Sequence, residues 1–172
     1  MSPQQQAEFE AHWEMNLALA MDEVGRFRIN LYRQRGDVAM AVRYITNRIP
    51  SIETLNLPPL LKDVVLLPRG LVLVVGSTGS GKSTTLASMV DYRNNHRAGH
   101  ILTVEEPIEY LHRHRLSVVD QREVGLDTHS YANALKNAMR EAPDVIMIGE
   151  IRDRETMQAA IAYAETGHLC LS

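Results

Sequence analysis

The sequence of 172 residues has one cysteine, three lysines and few aromatic residues. Because Cys170 stands alone, an internal disulfide and a cysteine-built zinc site are excluded, which favours a reducing compartment. No apolar run approaches the roughly 18 residues needed to cross a bilayer, and residues 1–10 lack the basic start and hydrophobic stretch of a signal peptide. With 45% hydrophobic and 23% charged residues, we expect a globular cytoplasmic protein.

Charge is distributed unevenly along a chain whose formal net charge is −3. Six arginines lie between Arg26 and Arg48 against one acid, Asp37, so this segment carries a charge of +5. Such a segment fits a nucleic acid, a phosphate ligand or the solvated face of a sheet. The pI near 6.2 and the 5% aromatic content argue against a dedicated nucleic-acid surface.

Three segments near the amino terminus, residues 15–21, 26–33 and 38–44, alternate with a period of two. The connections at 22–25 and 34–37 each contain a glycine that suits a tight turn. We therefore predict three antiparallel strands, with Arg26 and Arg28 on one face of the second strand and Phe27 and Ile29 on the other. Prolines at positions 50, 58 and 59 place a domain boundary near residues 49–58.

The pattern then changes to alternating strands and helices. Residues 71–75 are wholly apolar and rich in β-branched side chains, which is typical of a parallel strand with both faces buried. Strand-like runs recur at 101–104, 116–119 and 145–148, and helical periodicity at 82–92, 131–139 and 157–164. This alternation predicts a largely parallel sheet covered by helices.

A glycine-rich segment, GSTGSGKS, runs from Gly76 to Ser83 between a predicted strand and a predicted helix, and it matches the phosphate-loop pattern G-x-x-x-x-G-K-[ST]. Its glycines let backbone N–H groups point at phosphate oxygens, and the helix adds its positive end. Lys82 would reach the β and γ phosphates, and the Ser83 hydroxyl would bind Mg²⁺. The alternative is a plain strand-to-helix turn. The position of Lys82 argues against it, because one of only three lysines in the chain occupies the place that the pattern requires. The expected ligands are ATP and Mg²⁺, and the expected binding residues are Gly76, Ser77, Thr78, Gly79, Ser80, Gly81, Lys82, Ser83 and Thr84.

Two further strands deliver carboxylates. Residues 144–150 form an apolar strand of Walker B type. Gly149 occupies the position where such a strand usually has aspartate, so Glu150 must take the role of that aspartate. Residues 101–109 carry Glu105 and Glu106 together, and adjacent like charges are costly unless a cation or a water-activating role offsets them. Neighbouring residues of an extended chain point opposite ways, so at most one of the pair faces a nucleotide. The alternative is that these acids end a strand and face solvent.

Four blocks make the chain resemble the secretion and type IV pilus ATPases, and within them the twitching-motility retraction motors of PilT and PilU type. They are GSTGSGKSTT at Walker A, ILTVEEPIEYLH at the acidic "Asp box", APDVIMIGEIRD at Walker B and AETGHLCLS at the start of the "His box". The resemblance implies a RecA-like P-loop NTPase core of α/β class over residues 51–172, truncated at its carboxyl end. Before it, residues 1–50 would form part of a small, mainly antiparallel, PAS-like domain.

The resemblance also implies a function and partners. It implies an ATP-hydrolysing, hexameric motor that drives pilus retraction, cytoplasmic and peripheral at the inner membrane. Its partners would be identical subunits, the inner-membrane platform protein of the pilus and a related retraction ATPase, with no nucleic acid. The apolar run into Ser172 has no turn or cap. We therefore expect a fragment that binds nucleotide but hydrolyses ATP at or near the background rate.

Individual roles follow from the same resemblance. It implies that Glu105 positions or activates the attacking water, that Glu150 holds the Mg²⁺ shell, and that His168 lies near the nucleotide phosphates. Glu106 stands where the family usually has aspartate. Arginines of the small domain would reach the nucleotide of a neighbouring subunit, and Arg28 and Arg35 are the candidates.

Two other functions stay open. One is a nucleic-acid motor built on the same core, which salt-sensitive binding to single strands would support. The other is a nucleotide-binding regulatory or assembly subunit without turnover, which a phosphate-release assay would separate from an enzyme. His112 and His114 have no evident third ligand, so we expect a surface role, and we expect Cys170 to be a buried strand residue.

Overall fold

The structure, a computed structural model, describes residues 1–21, 25–45 and 48–172. Contacts divide the chain into two units, Met1–Asn47 and Arg48–Ser172. The helices are α1 (Pro3–His12), α2 (Leu60–Val65), α3 (Lys82–His96), α4 (Tyr131–Glu141) and α5 (Arg154–Glu165). The strands are β1 (Glu14–Met21), β2 (Gly25–Gln34), β3 (Asp37–Ile45), β4 (Gly70–Val72), β5 (Gly99–Glu105), β6 (Ser117–Glu123), β7 (Val145–Ile148) and β8 (Leu169–Leu171).

The first unit contains the three antiparallel strands that the period-two pattern predicts, in the order β1-β2-β3. Leu17 lies opposite Ile29, which in turn lies opposite Val42. The second connection is a two-residue turn in which Arg35 and Gly36 have φ angles of 55° and 90°, as a tight hairpin requires. Most of the first connection, at 22–24, lies outside the described residues.

Helix α1 was not predicted, although its start signal is present in the sequence. The Ser2 hydroxyl accepts from the Gln5 N–H, the Gln5 side chain accepts from the Ser2 N–H, and Pro3 occupies the first helical position. The helix buries Phe9 against Met15 and Leu31 of the sheet. Its packing therefore covers part of the face that carries the apolar residues of β1 and β2.

The second unit is a five-stranded parallel sheet in the order β4-β8-β7-β5-β6. Its buried core forms two clusters, because residues of α2 and α3 pack with one set of strand residues and residues of α4 and α5 with the other. The predicted α/β class, a parallel sheet preceded by a small antiparallel domain, is confirmed.

Strand β4 differs from the prediction. It pairs with β8 on one side, is an edge of the described sheet, and ends at Val72. Beyond it, Leu73 is 46% exposed and Val75 is 85% exposed. The expectation that residues 71–75 are buried on both faces is therefore wrong, because Val72 and Val74 pack against the core while Leu73 and Val75, which alternate with them, are left exposed.

Two further features were not visible in the periodicity. Helix α2 follows Pro58 and Pro59, and the buried Arg93 of α3 donates to the Val65 carbonyl at 2.6 Å and the Leu67 carbonyl at 2.9 Å. These bonds fasten the end of α2 to α3. No helix in the described ranges combines the length and the apolar character that a membrane span needs.

Candidate active site

The phosphate loop and the acidic strand ends share one edge of the parallel sheet. β5 ends at Glu105, and β7 ends two residues before Glu150. The Gly149 N–H donates to the Val104 carbonyl at 2.7 Å, so the two strand ends are held side by side. Because β4 is parallel to its neighbour β8, the loop after β4 leaves from the same edge. This carboxyl edge is where open α/β sheets bind ligands.

The loop between β4 and α3 is an exposed curl of backbone. Gly79 and Gly81 have φ angles of 77° and 93°, which lie in the left-handed region that favours glycine. A Cβ at Gly76 would lie 2.6 Å from the Ser80 Oγ, so a side chain there would require the Ser80 hydroxyl to move. Helix α3 begins directly after Gly81, so the loop ends at a helix N-terminus that favours anions.

Lys82 braces this loop. Its Nζ donates to the carbonyls of Gly76 and Ser77 at 2.9 Å each. The next residue, Ser83, is exposed in the first turn of α3. The ammonium group is therefore held at the curl, beside the helical turn that carries Ser83.

Glu105 is a buried carboxylate with a defined setting. It is 8% exposed, and it accepts from the Thr103 Oγ1 at 2.7 Å and the Gln121 Nε2 at 3.2 Å. Burial raises the pKa of Glu105 above its ordinary value, and these hydrogen bonds oppose that rise. Glu106, the next residue, is exposed. A buried carboxyl with a raised pKa suits a proton acceptor, although the choice between the two acids stays a prediction.

A polar chain links Glu105 to the helix that follows the phosphate loop. The Gln121 Nε2 also donates to the Tyr110 carbonyl at 2.9 Å, and the Gln121 Oε1 accepts from the His112 N–H at 2.7 Å. The hydroxyls of Tyr110 and Thr84 are hydrogen-bonded at 3.1 Å. Thr84 lies in the first turn of α3. None of these linking residues except Thr84 was predicted.

Glu150 forms an ion pair with Arg152 at 2.5 Å, in which the two side chains are 35% and 71% exposed. An exposed pair of this kind contributes little to stability. Glu150 is therefore accessible to a competing cation, and together with the exposed Ser83 hydroxyl it offers the oxygen ligands that Mg²⁺ prefers. Arg152 was not predicted as part of the site.

Glu105, Glu106 and Glu150 form an acidic region at this edge of the sheet. Tyr131, the first residue of α4, brings a hydroxyl into this region. The hydroxyl is buried and has no hydrogen-bond partner among the described residues. A Cβ built on Gly149 would lie 3.1 Å from the Glu105 Cα and 3.2 Å from this hydroxyl oxygen. Burial, followed by the charges of Glu150, Glu106 and Glu105, raises the pKa of Tyr131, so the group is a neutral hydroxyl beside the acids.

His168 lies at the other edge of the sheet. It directly precedes β8. The first residue of β8, Leu169, pairs with Gly70 and Val145, which are the first residues of β4 and β7. Its Nδ1 lies 3.2 Å from the Tyr163 carbonyl. The structure therefore places His168 at the edge opposite the phosphate loop of its own subunit, because a parallel strand carries its two ends to opposite edges, and its proximity to nucleotide phosphates stays a prediction.

The two candidate arginines belong to the first unit. Arg28 is half-buried on β2, opposite Ala18 and Arg43. Arg35 is exposed at the tip of the hairpin between β2 and β3. Their action on a neighbouring subunit stays a prediction.

The predictions for the remaining histidines and the cysteine have mixed outcomes. His114 is exposed, but His112 is half-buried, with an Nδ1 that has no partner in the described part of the chain, and burial lowers its pKa to about 4. The surface role expected for His112 is therefore wrong. Within those same residues no group of three or more His, Cys, Asp and Glu could hold a metal. Cys170 is buried in β8, as predicted.

Comparison with known proteins agrees with this geometry. The chain is 54% identical over 172 residues to the type IV pilus ATPase PilU of Pseudomonas aeruginosa, which covers 100% of this chain and 45% of PilU. It is 46% identical over 169 residues to the retraction ATPase PilT of the same organism, which covers 98% of this chain and 49% of PilT. The chain thus spans about half the length of these curated relatives.

A solved structure gives the same result for the fold. The crystal structure of the pilus retraction motor PilT with bound ADP superposes with a TM-score of 0.94 at 48% identity, covering 99% of this chain and 50% of that one. The family described as type II/IV secretion system protein matches residues 27–172. The resemblance predicted from the four sequence blocks is confirmed, and the chain belongs to the type II/IV secretion system protein family.

Proposed function

We propose that the chain binds Mg²⁺-ATP at the carboxyl edge of its parallel sheet and belongs to an ATPase that drives pilus retraction. The observation that carries this proposal is the placement of the buried Glu105 beside the end of β7, on the edge from which the phosphate loop leaves. Relatives of known function support it, since PilU and PilT are named as pilus ATPases and a PilT structure contains ADP.

Each residue has a distinct task in this proposal. The backbone of residues 76–83 and the Lys82 ammonium group would bind the phosphates, while Ser83 and Glu150 would hold Mg²⁺ directly or through its water shell. The metal ion would neutralise charge on the phosphate oxygens. Glu105 would accept a proton from the attacking water, and Thr103 and Gln121 would keep its carboxylate oriented.

Assembly and location are part of the same proposal. The complete protein would be a homo-hexamer in the cytoplasm, peripheral at the inner membrane, with the pilus platform protein and a related retraction ATPase as partners. Arg28 or Arg35 would stabilise transition-state charge on a neighbouring subunit. Such an arrangement makes hydrolysis depend on contact between subunits.

Phosphate release by the complete protein tests the proposed activity. We expect Mg²⁺-dependent release from wild type, and loss of release with retained nucleotide binding in Glu150→Gln, because the amide keeps the shape but not the charge. Binding without release in wild type would favour a regulatory or assembly subunit. Release that depends on single-stranded DNA, with salt-sensitive binding, would favour a nucleic-acid motor.

A further inference from the structure

Among the described residues, the Tyr131 hydroxyl is a buried polar group of the acidic region whose setting the proposed roles leave unexplained. It is buried without a partner among the described residues. Burial of an unpaired hydroxyl is unfavourable, and native proteins rarely retain one without a reason. Such groups are expected where a ligand or an ordered water completes the hydrogen bonds.

The surroundings of this hydroxyl indicate what completes them. It lies close to Gly149, since a Cβ built there would lie 3.2 Å from the hydroxyl oxygen and 3.1 Å from the Glu105 Cα. The negative charges that act on it belong to Glu150, Glu106 and Glu105, and the positive charge of Arg152 opposes them. A hydroxyl both donates and accepts a hydrogen bond, so it suits a water molecule held between carboxylates better than it suits an anion.

We propose that Tyr131 orients the water molecule that attacks the γ-phosphoryl group, together with Glu105. This inference rests on the ATPase function proposed above. In the step, the water oxygen forms the new bond to phosphorus, the bond from phosphorus to the bridging oxygen of ADP breaks, and the proton of the water passes to Glu105. Tyr131 keeps its proton and supplies orientation alone.

The test compares Tyr131→Phe with a matched control, Tyr163→Phe. The Tyr163 hydroxyl is also buried, but it donates to the Leu135 carbonyl. Two quantities are measured for each variant and for wild type. They are the unfolding temperature without nucleotide, and the affinity for Mg²⁺-ADP with and without aluminium fluoride, whose complex mimics the transferred phosphoryl group and its water.

We expect Tyr131→Phe to unfold within about 2 °C of wild type, because the hydroxyl makes no hydrogen bond to the described protein residues that the substitution would remove. Its affinity for Mg²⁺-ADP should stay within about twofold of wild type, while its preference for the aluminium fluoride complex should fall about tenfold. Tyr163→Phe should show the reverse pattern, with a lower unfolding temperature and an unchanged preference.

The outcomes are distinguishable. If wild type binds no nucleotide, the proposed function is wrong. If wild type binds Mg²⁺-ADP and Tyr131→Phe keeps the preference of wild type, or wild type has no preference, the inference about Tyr131 is wrong. As a measurement without substitution, the Tyr131 Cζ resonance of ¹³C-labelled wild type should shift when aluminium fluoride joins bound Mg²⁺-ADP, and no shift would contradict the inference.

Discussion

Glu105 and Glu106 are adjacent in sequence, but one is buried and the other exposed. A buried carboxyl whose pKa is raised must ionise at a cost as the pH increases. We therefore expect Glu105→Gln to match wild type in stability below the ordinary pKa of 4.5 and to become relatively more stable above it, because the amide has no proton to lose. Unfolding temperatures measured from about pH 4 to pH 8 check this difference.

The same variant tests catalysis. In the complete protein, Glu105→Gln should keep its nucleotide affinity and lose turnover, and Glu106→Gln serves as the matched control with the exposed neighbour. If Glu106→Gln were inactive and Glu105→Gln normal, the assignment within the acidic pair would be wrong.

Gly149 explains why this strand lacks the usual aspartate. A Cβ at this position would lie 3.1 Å from the Glu105 Cα and 3.2 Å from the Val104 carbonyl oxygen, and neither backbone atom has freedom to move away. We expect Gly149→Ala to lower the free energy of unfolding by about 1–3 kcal/mol, as measured by denaturant titration. A change smaller than the error of the titration would contradict this account of the glycine.

At the scale of elements, the hydrogen bond between the hydroxyls of Thr84 and Tyr110 connects the first turn of α3 to the segment after β5. A double-mutant cycle with Tyr110→Phe and Thr84→Val measures it. We expect each single variant to lose about 1 kcal/mol of stability and the pair to show a coupling of about 0.5–1.5 kcal/mol. Fully additive losses would indicate that the two hydroxyls act independently.

Periodicity predicted most of the strands and helices, but not which strands lie next to each other in a sheet. The strands of the first unit and β5 to β7 follow from local alternation, because one strand face or both are buried as the pattern requires. The edge position of β4 is a property of sheet order, which a five-residue apolar run does not encode. Helix α2 is six residues long, too short to produce a clear helical period.

The site was predictable to the extent that its residues occur in contiguous motifs. Lys82 and Glu150 follow strands and Glu105 ends one, and parallel strands bring their carboxyl ends to one edge. Gln121 and Tyr131 join them through the register of β6 and the start of α4, and no local pattern marks those positions. His168 differs from these residues because it precedes its strand, β8, and therefore lies at the opposite edge of the sheet.

At the scale of the whole molecule, the proposed trans arginines predict complementation between subunits. An Arg28→Ala or Arg35→Ala subunit has an intact phosphate loop, and a Lys82→Ala subunit has intact arginines. Mixed rings of the complete protein should recover part of the phosphate-release activity that each variant lacks alone, because sites with both groups form at some interfaces. Failure to recover activity at every mixing ratio would count against a shared site.

The most direct test of the account is a calorimetric titration of Mg²⁺-ADP into the 172-residue chain and its Lys82→Ala variant, with Lys62→Ala as a control. Lys62 pairs with Glu53, away from the phosphate loop. We expect saturable binding by wild type and Lys62→Ala, and an affinity at least about tenfold weaker for Lys82→Ala, since the ammonium group is held at the curl that we propose binds phosphate. No binding by wild type, or equal affinity in Lys82→Ala and wild type, would contradict the assignment of this loop as a nucleotide site.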